Sequence, residues 1–176
     1  MGGEISWPTL RTQRLILRSP RADDAPRMAR LANDFEIARM TTRIPHPFAI
    51  EHAETFIARM ERRDPSREAV FAIESENDDL LGVLGLHPGP AGTEIGYWLG
   101  RPFWGHGFAT EAARAALAWA STDWGRRFIV SGHFADNTAS AQVLIKTGFL
   151  YTGAVTPRHC LARGEEAATR MMVWLA

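Results

Sequence analysis

Residues 94–112 have the sequence E-I-G-Y-W-L-G-R-P-F-W-G-H-G-F-A-T-E-A, and this stretch predicts the site around which the chain folds. Its first part, residues 95–99, is apolar and aromatic, which is typical of a buried strand. Three glycines and a proline follow, and then a helix rich in alanine. The first amides of a helix lack partners inside it and its dipole is positive there, so a glycine turn before a helix suits a phosphate. We therefore expect this stretch to bind the pyrophosphate of a nucleotide-like cofactor.

The bulk composition indicates an ordinary soluble globular chain and excludes several other classes. Of 176 residues, 45% are hydrophobic and 23% charged, and twenty basic residues balance twenty acidic ones, which argues against a nucleic-acid partner. No apolar run approaches the roughly 20 residues that span a bilayer, so we expect no membrane association. The single cysteine, Cys160, excludes an internal disulfide and favours a reducing, cytoplasmic location. The six histidines do not show the spacing of metal ligands, so we expect no metal.

The order of the predicted elements indicates one α/β domain over residues 1–176. Alternating or continuous apolar runs predict about seven strands. They cover residues 10–18, 69–73, 80–86, 94–99, 127–134, 149–155 and 168–175. Helical spacing and capping residues predict four or five helices between them, including an amphipathic helix over 49–63 and a central helix after residue 107.

Four ordered motifs are similar to a known family. They are G-Y-W-L at 96–99, W-G-x-G-x-A-T-E-A at 104–112, N-x-x-S at 137–140 and K-x-G-F at 146–149. Together with the opening T-L-R-T-Q-R-L-I-L-R, they resemble the GNAT superfamily of N-acetyltransferases over nearly the whole chain. The likeness is greatest to the RimJ/RimL branch, which includes the acetyltransferases of ribosomal-protein N-termini. The resemblance implies one mixed, largely antiparallel sheet splayed at its centre, with helices on both faces.

The same resemblance implies acetyl-CoA as the cofactor and assigns residues to it. The superfamily's phosphate motif, Q/R-x-x-G-x-G/A, begins here at Trp104, so backbone amides rather than a lysine are expected to hold the pyrophosphate. Backbone groups of Trp98 and Leu99 are implied to contact the pantetheine, and one of these amides to polarise the acetyl carbonyl. Asn137 is implied to hold pantetheine or substrate, with a purely helix-capping role as the alternative. The implied phosphate contacts are Gly105, His106, Gly107, Phe108, Ala109 and Thr110.

Acetyl transfer to an amine needs a base for the amine and an acid for the departing thiolate. Glu94 is the first candidate for the base, directly or through water, because a buried acid has a raised pKa; the alternative is an exposed carboxylate at the strand end. His87 is the rival base. The tyrosine acid common in the superfamily would fall at Leu144 and is missing, so Ser140 is the candidate acid.

The acceptor is the least constrained part of the prediction. Residues 41–48, the early helices and the hairpin at 158–166 are expected to wall its site, and they contain arginines without a clear acidic cluster. We therefore expect an amine-bearing acceptor that is a peptide N-terminus or a small metabolite, attacked directly in a ternary complex, by a monomer or homodimer. The alternatives are a catalytically idle acyl-CoA-binding module and a scaffold that uses the fold without a cofactor.

Overall fold

An eight-stranded sheet with helices on both faces forms the body of the protein in this computed structural model, which describes residues 7–176. The strands are β1 Leu10–Arg11, β2 Leu15–Arg18, β3 Ala69–Ser75, β4 Leu80–Gly89, β5 Gly92–Leu99, β6 Phe128–Phe134, β7 Leu150–Cys160 and β8 Glu165–Leu175. The α-helices are α1 Ala25–Ala32, α2 Phe35–Ala38, α3 Ile50–Glu61, α4 Phe108–Thr122 and α5 Thr138–Lys146. Short 3₁₀ turns lie at Ala22–Asp24 and Arg101–Phe103.

The sheet is divided at its centre. Its order is β1-β2-β3-β4-β5-β6-β8-β7, and every neighbouring pair is antiparallel except β5 and β6. Those two strands run parallel and pair only where Glu94 lies beside Val130, so a gap opens between them toward Leu99. The predicted mixed, largely antiparallel and centrally splayed sheet is confirmed. An eighth strand arises because the predicted first strand is interrupted at residues 12–14.

The two faces of the sheet carry separate apolar cores. On β3, Phe71 and Ile73 face the core built on α4 and α5, whereas Val70 and Ala72 face the core built on α1 and α3. This alternation follows from the period of two in a strand. The small buried side chains of α4 let that helix lie close to the sheet; they are Ala112, Ala113, Ala116 and Ala120.

The tip of the β7–β8 hairpin is tied to the segment that follows α2. The Leu161 amide donates to the carbonyl of Thr42 at 3.2 Å, and the Cys160 thiol donates to the carbonyl of Thr41 at 3.1 Å. Arg163 donates to the carbonyl of Arg39 at 2.7 Å. These contacts join the two halves of the sheet on the far side of the gap. No helix within residues 7–176 has both the length and the apolar character needed to cross a bilayer.

Candidate active site

A cavity of about 700 Å³ lies along the gap between β5 and β6. Its walls come from β5, the loop before α4, β6, the start of α5 and the segment after α2. Most of the residues predicted for the site line this cavity: Glu94, Trp98, Leu99, Trp104, Gly105, Gly107, Phe108, Ala109, Thr110, Asn137 and Ser140. One end of the cavity is therefore the predicted phosphate loop, and the other contains the predicted acid and base.

The loop before α4 presents a run of unpaired backbone donors. Gly105 and Gly107 adopt left-handed conformations, with φ of 75° and 78°, and Gly107 caps α4. The Trp104 amide donates to the carbonyl of Arg101 at 3.2 Å, but the six amides of residues 105–110 have no acceptor within residues 7–176. A β-carbon at Gly105 would meet open space, so a ligand can approach the backbone there. Six free donors at a positive helix end suit a pyrophosphate.

Side chains from outside the loop hold it in this conformation. The indole N–H of Trp104 donates to the carbonyl of Leu99 at 2.8 Å and so fixes the loop to the end of β5. The Arg14 guanidinium donates to the carbonyl of His106 at 2.9 Å. The sequence predicts Trp104 as a cofactor-binding residue. In the structure its side chain also holds the loop against β5. Arg14 was not predicted for the site, although it belongs to the opening motif that resembled the family.

Glu111 anchors Arg14 in turn. Its carboxylate accepts hydrogen bonds from the Thr12 hydroxyl at 2.6 Å, the Arg14 amide at 2.9 Å and the Arg14 guanidinium at 2.7 Å. Burial favours a higher pKa for Glu111, but these hydrogen bonds outweigh it and hold the pKa below its ordinary value. Glu111 is therefore a structural anion that joins α4 to the turn between β1 and β2.

The register of β5 decides which of its backbone groups face the gap. The Gly100 amide donates to Leu81 on the β4 side, and alternation therefore turns the backbone groups of Trp98 toward β4 as well. Those of Tyr97 and Leu99 face the gap, consistent with the bond from the Trp104 indole to the Leu99 carbonyl. The structure differs here from the sequence prediction: Tyr97, not Trp98, accompanies Leu99 along the open edge.

Glu94 is paired with an arginine from β7. Arg158 donates to both carboxylate oxygens of Glu94, with Nη1 on Oε1 and Nη2 on Oε2, the second at 3.1 Å. The two side chains are 22% and 26% exposed, so the pair borders the cavity without being sealed from water. Glu94 was predicted as an acid among apolar residues. Its actual neighbour is a cation, the Arg158 guanidinium, and not an apolar side chain.

The rival base lies outside the cavity lining. The His87 ring contacts the Glu68 carboxylate at 2.5 Å and covers Gly85, where a β-carbon would approach Nε2 to 2.1 Å. Burial lowers the pKa of His87, and the Glu68 carboxylate opposes this shift. His106, whose amide was assigned to the phosphates, turns its ring onto Phe108 in a stacked arrangement with centroids 5.6 Å apart.

Two hydroxyl groups meet at the start of α5. Leu144, at the position where the tyrosine acid was sought, is buried in the core. Ser140 lines the cavity, and its Oγ lies 3.0 Å from the hydroxyl of Tyr97. The apolar pattern of β5 predicts Tyr97 only as a core residue of the strand, so this contact is not evident from the sequence. The Asn137 side chain accepts a hydrogen bond from the Ser140 amide at 3.1 Å, so it caps α5. No three His, Cys, Asp or Glu side chains among residues 7–176 are placed to hold a metal.

Comparison with known proteins identifies the family. The family model described as "Acetyltransferase (GNAT) domain" matches residues 14–150, well over half of the chain. The chain belongs to the GNAT acetyltransferase family. It is 28% identical over 156 residues to the uncharacterized N-acetyltransferase YoaA of Bacillus subtilis, covering 85% of this chain and 86% of that protein. It is 33% identical over 100 residues to the ribosomal-protein-serine acetyltransferase of Escherichia coli, covering 54% of this chain and 51% of that protein.

A solved structure agrees with this assignment at the level of the fold. Mycobacterium smegmatis RimJ, in complex with CoA-disulfide, superposes with a TM-score of 0.82 at 22% identity, covering 96% of this chain and 86% of that one. The GNAT prediction and its RimJ/RimL likeness are thus confirmed. The acyl donor of this acetyltransferase family is acetyl-CoA, which supplies an activated acetyl group as a thioester. The free amides of the loop and the open strand edge fit such a ligand.

Proposed function

We propose that this GNAT acetyltransferase transfers the acetyl group of acetyl-CoA to a primary amine by direct attack within a ternary complex. The observation that supports this most is the line of free backbone donors that begins at the phosphate loop and continues along the open edge of β5. Tyr97 and Leu99 lie on that edge, and Ser140 lies beside it on α5. A binding site of this shape suits a long ligand with a pyrophosphate at one end and a reactive carbonyl at the other.

The cofactor-binding roles follow from this placement. The amides of residues 105–110 hold the pyrophosphate, with His106 contributing through its backbone. A second cavity of about 620 Å³ beside the loop is lined by Arg14, Arg114 and Lys146, and by Glu111, which pairs with Arg14. Its net positive charge suits the phosphate of the cofactor that lies outside the pyrophosphate. Asn137 caps α5, and the amide nitrogen of its side chain has no acceptor within residues 7–176, which leaves it available to pantetheine or substrate.

The catalytic roles follow from the other end of the cavity. The gap-facing amide of Tyr97 or Leu99 donates to the carbonyl oxygen as negative charge develops on it. Glu94 accepts the amine proton, directly or through water, and Ser140 donates a hydrogen bond to the departing sulfur. Arg158 holds the Glu94 carboxylate at the border of the cavity, where it can meet the amine directly or through water.

The charges at the cavity mouth favour an acceptor that is not a polycation. Each carboxylate there is matched by an arginine: Glu94 by Arg158, Glu36 by Arg39 at 2.9 Å and Asp136 by Arg163 at 2.9 Å. We therefore place a peptide N-terminus or a small amine metabolite in this site, and the name of the Escherichia coli relative favours the peptide. We also propose a cytoplasmic location, where a free buried Cys160 stays reduced.

Thermal shift with acetyl-CoA and thiol release across a panel of amines test this proposal. A ligand at about 100 times its dissociation constant stabilises the folded state by roughly 2.7 kcal/mol, so a clear rise in melting temperature is expected. Thiol release should appear with peptides or small monoamines and be weak with spermidine. No shift at saturating cofactor would contradict the cofactor site. A rise in melting temperature with acetyl-CoA, without thiol release on any amine, would favour the catalytically idle acyl-CoA-binding module.

The base is tested by Glu94→Gln, which keeps the size of the side chain and removes its charge. We expect kcat to fall at least tenfold while the thermal shift with acetyl-CoA is retained. Glu76→Gln is the matched control, because Glu76 is an exposed glutamate in the turn between β3 and β4, outside the cavity lining and with no hydrogen-bonding or ion-pair partner among residues 7–176. Turnover at the wild-type rate in Glu94→Gln would remove Glu94 from the mechanism.

A further inference from the structure

We propose that Tyr97 is a positioning residue for Ser140: its hydroxyl holds the serine hydroxyl so that the serine hydrogen points into the cavity, toward the departing sulfur. This inference rests on the proposed acetyl transfer. It assigns a side-chain role to a residue whose backbone already lies on the open edge of β5.

The geometry brings the two groups together from distant parts of the chain. Tyr97 comes from β5 and Ser140 from the first turn of α5, 43 residues later, and both line the cavity. The Tyr97 oxygen lies 3.0 Å from Ser140 Oγ and 3.4 Å from the Ser140 carbonyl, so the bond to Oγ is the better one. The Asn137 cap fixes the backbone of Ser140 from the other side.

The serine hydroxyl has no competing partner among the described residues. A serine in a helix commonly bonds back to a carbonyl of the preceding turn, which would turn its hydrogen away from a ligand. Ser140 Oγ makes no such bond within residues 7–176, and its one partner there is Tyr97. The contact with Tyr97 is therefore what sets the direction of this hydroxyl.

Either oxygen could donate across this contact, and the greater acidity of a phenol than of an aliphatic alcohol favours Tyr97 as the donor and Ser140 Oγ as the acceptor. Burial raises the pKa of Tyr97 to about 12, against the opposing hydrogen bond with Ser140, so its hydroxyl keeps its proton throughout the neutral range. When Tyr97 donates to Ser140 Oγ, the serine hydrogen is left free for the ligand. A hydroxyl that accepts one hydrogen bond also becomes a stronger donor of the next. Tyr97 thereby both aims and strengthens the donor that faces the sulfur.

The experiment is a double-mutant cycle of Tyr97→Phe and Ser140→Ala. Phenylalanine keeps the ring that packs beside the α4 core and removes only the hydroxyl. Each single variant should lower kcat about tenfold, while KM for acetyl-CoA stays within about twofold and the thermal shift is retained. Because Tyr97 acts through Ser140, the double variant should be no slower than Ser140→Ala alone.

The chain offers a matched control in Tyr151, its only other tyrosine. The Tyr151 hydroxyl also bonds to a side chain, His133 Nε2 at 2.9 Å, but does not touch Ser140. Tyr151→Phe should keep the wild-type kcat. A wild-type kcat in Tyr97→Phe, a double variant about 100-fold slower, or loss of acetyl-CoA binding in Tyr97→Phe would each overturn the positioning role. Absence of acetyl transfer by the unmodified protein would instead overturn the proposed function.

Discussion

Replacing Glu111 with alanine removes the three hydrogen bonds that join α4 to the turn between β1 and β2. The bonds from the Thr12 hydroxyl and the Arg14 amide go to a charged acceptor and each contribute about 1.5 kcal/mol. The ion pair adds up to about 1 kcal/mol, because the Arg14 side chain is 44% exposed and its charge is screened. The free energy of unfolding should therefore fall by about 3 to 4 kcal/mol.

Denaturant unfolding at pH 7 measures this change. The melting temperature of Glu111→Ala should be about 10 °C lower for a chain of this size. Glu111→Gln keeps an acceptor for Thr12, so its free energy of unfolding should fall by less than half as much as that of Glu111→Ala. Glu54→Ala is the control, because Glu54 is an exposed helical glutamate without a hydrogen-bonding or ion-pair partner among residues 7–176. A loss below about 1 kcal/mol in Glu111→Ala would refute the anchoring role.

The same anchor has a pH dependence. Since hydrogen bonds from Thr12 and Arg14 outweigh burial and lower the pKa of Glu111, the carboxylate stabilises the folded state fully above its unfolded pKa of about 4.5. That stability is lost as the pH falls through the lower folded value. The difference between the unmodified protein and Glu111→Ala should therefore shrink on acidification.

Three further predictions concern the site. Gly107→Ala places a β-carbon at a φ of 78° and should cost about 1 to 2 kcal/mol of stability, measured by urea unfolding. Gly96→Leu points into open space beside Glu94, so KM for the amine should rise at least tenfold in steady-state assays while the urea midpoint stays near that of the unmodified protein. Because burial raises the pKa of Tyr97 to about 12, its neutral phenol stabilises the folded state fully below pH 10. This stability is lost as the pH rises from 10 toward 12. Urea unfolding at pH 9 and 11.5 should show a loss of about 2 kcal/mol that Tyr97→Phe lacks.

The sequence predicted what depends on neighbouring residues. The strand, glycine turn and helix of residues 94–112 are local, and the left-handed Gly107 at the start of α4 is where a glycine was expected. The helix predicted over residues 49–63 is observed as Ile50–Glu61 for the same reason. Patterns of this kind need no knowledge of the sheet order.

What the sequence did not predict depends on pairing between distant segments. Arg14 reaches the phosphate loop across 92 residues and Arg158 reaches Glu94 across 64, and neither distance is encoded in local spacing. The backbone direction of Trp98 is set by its register with β4, so an assignment from the motif alone chose the wrong member of the Tyr97–Trp98 pair for the open edge. The partner of Ser140 was missed for the same reason.

The bonds from the β7–β8 hairpin to the segment after α2 have a mechanical consequence. Within residues 7–176, β5 and β6 pair only where Glu94 lies beside Val130, and the Ser131 hydroxyl adds a bond to the neighbouring Ile95 carbonyl at 3.0 Å. A joint confined to so short a stretch would let the two halves of the sheet rotate about it. The bonds of Cys160, Leu161 and Arg163 add a second fixed point on the opposite side of the cavity. The width of the opening is therefore set before any acceptor arrives, and an acceptor is selected by whether it fits that width.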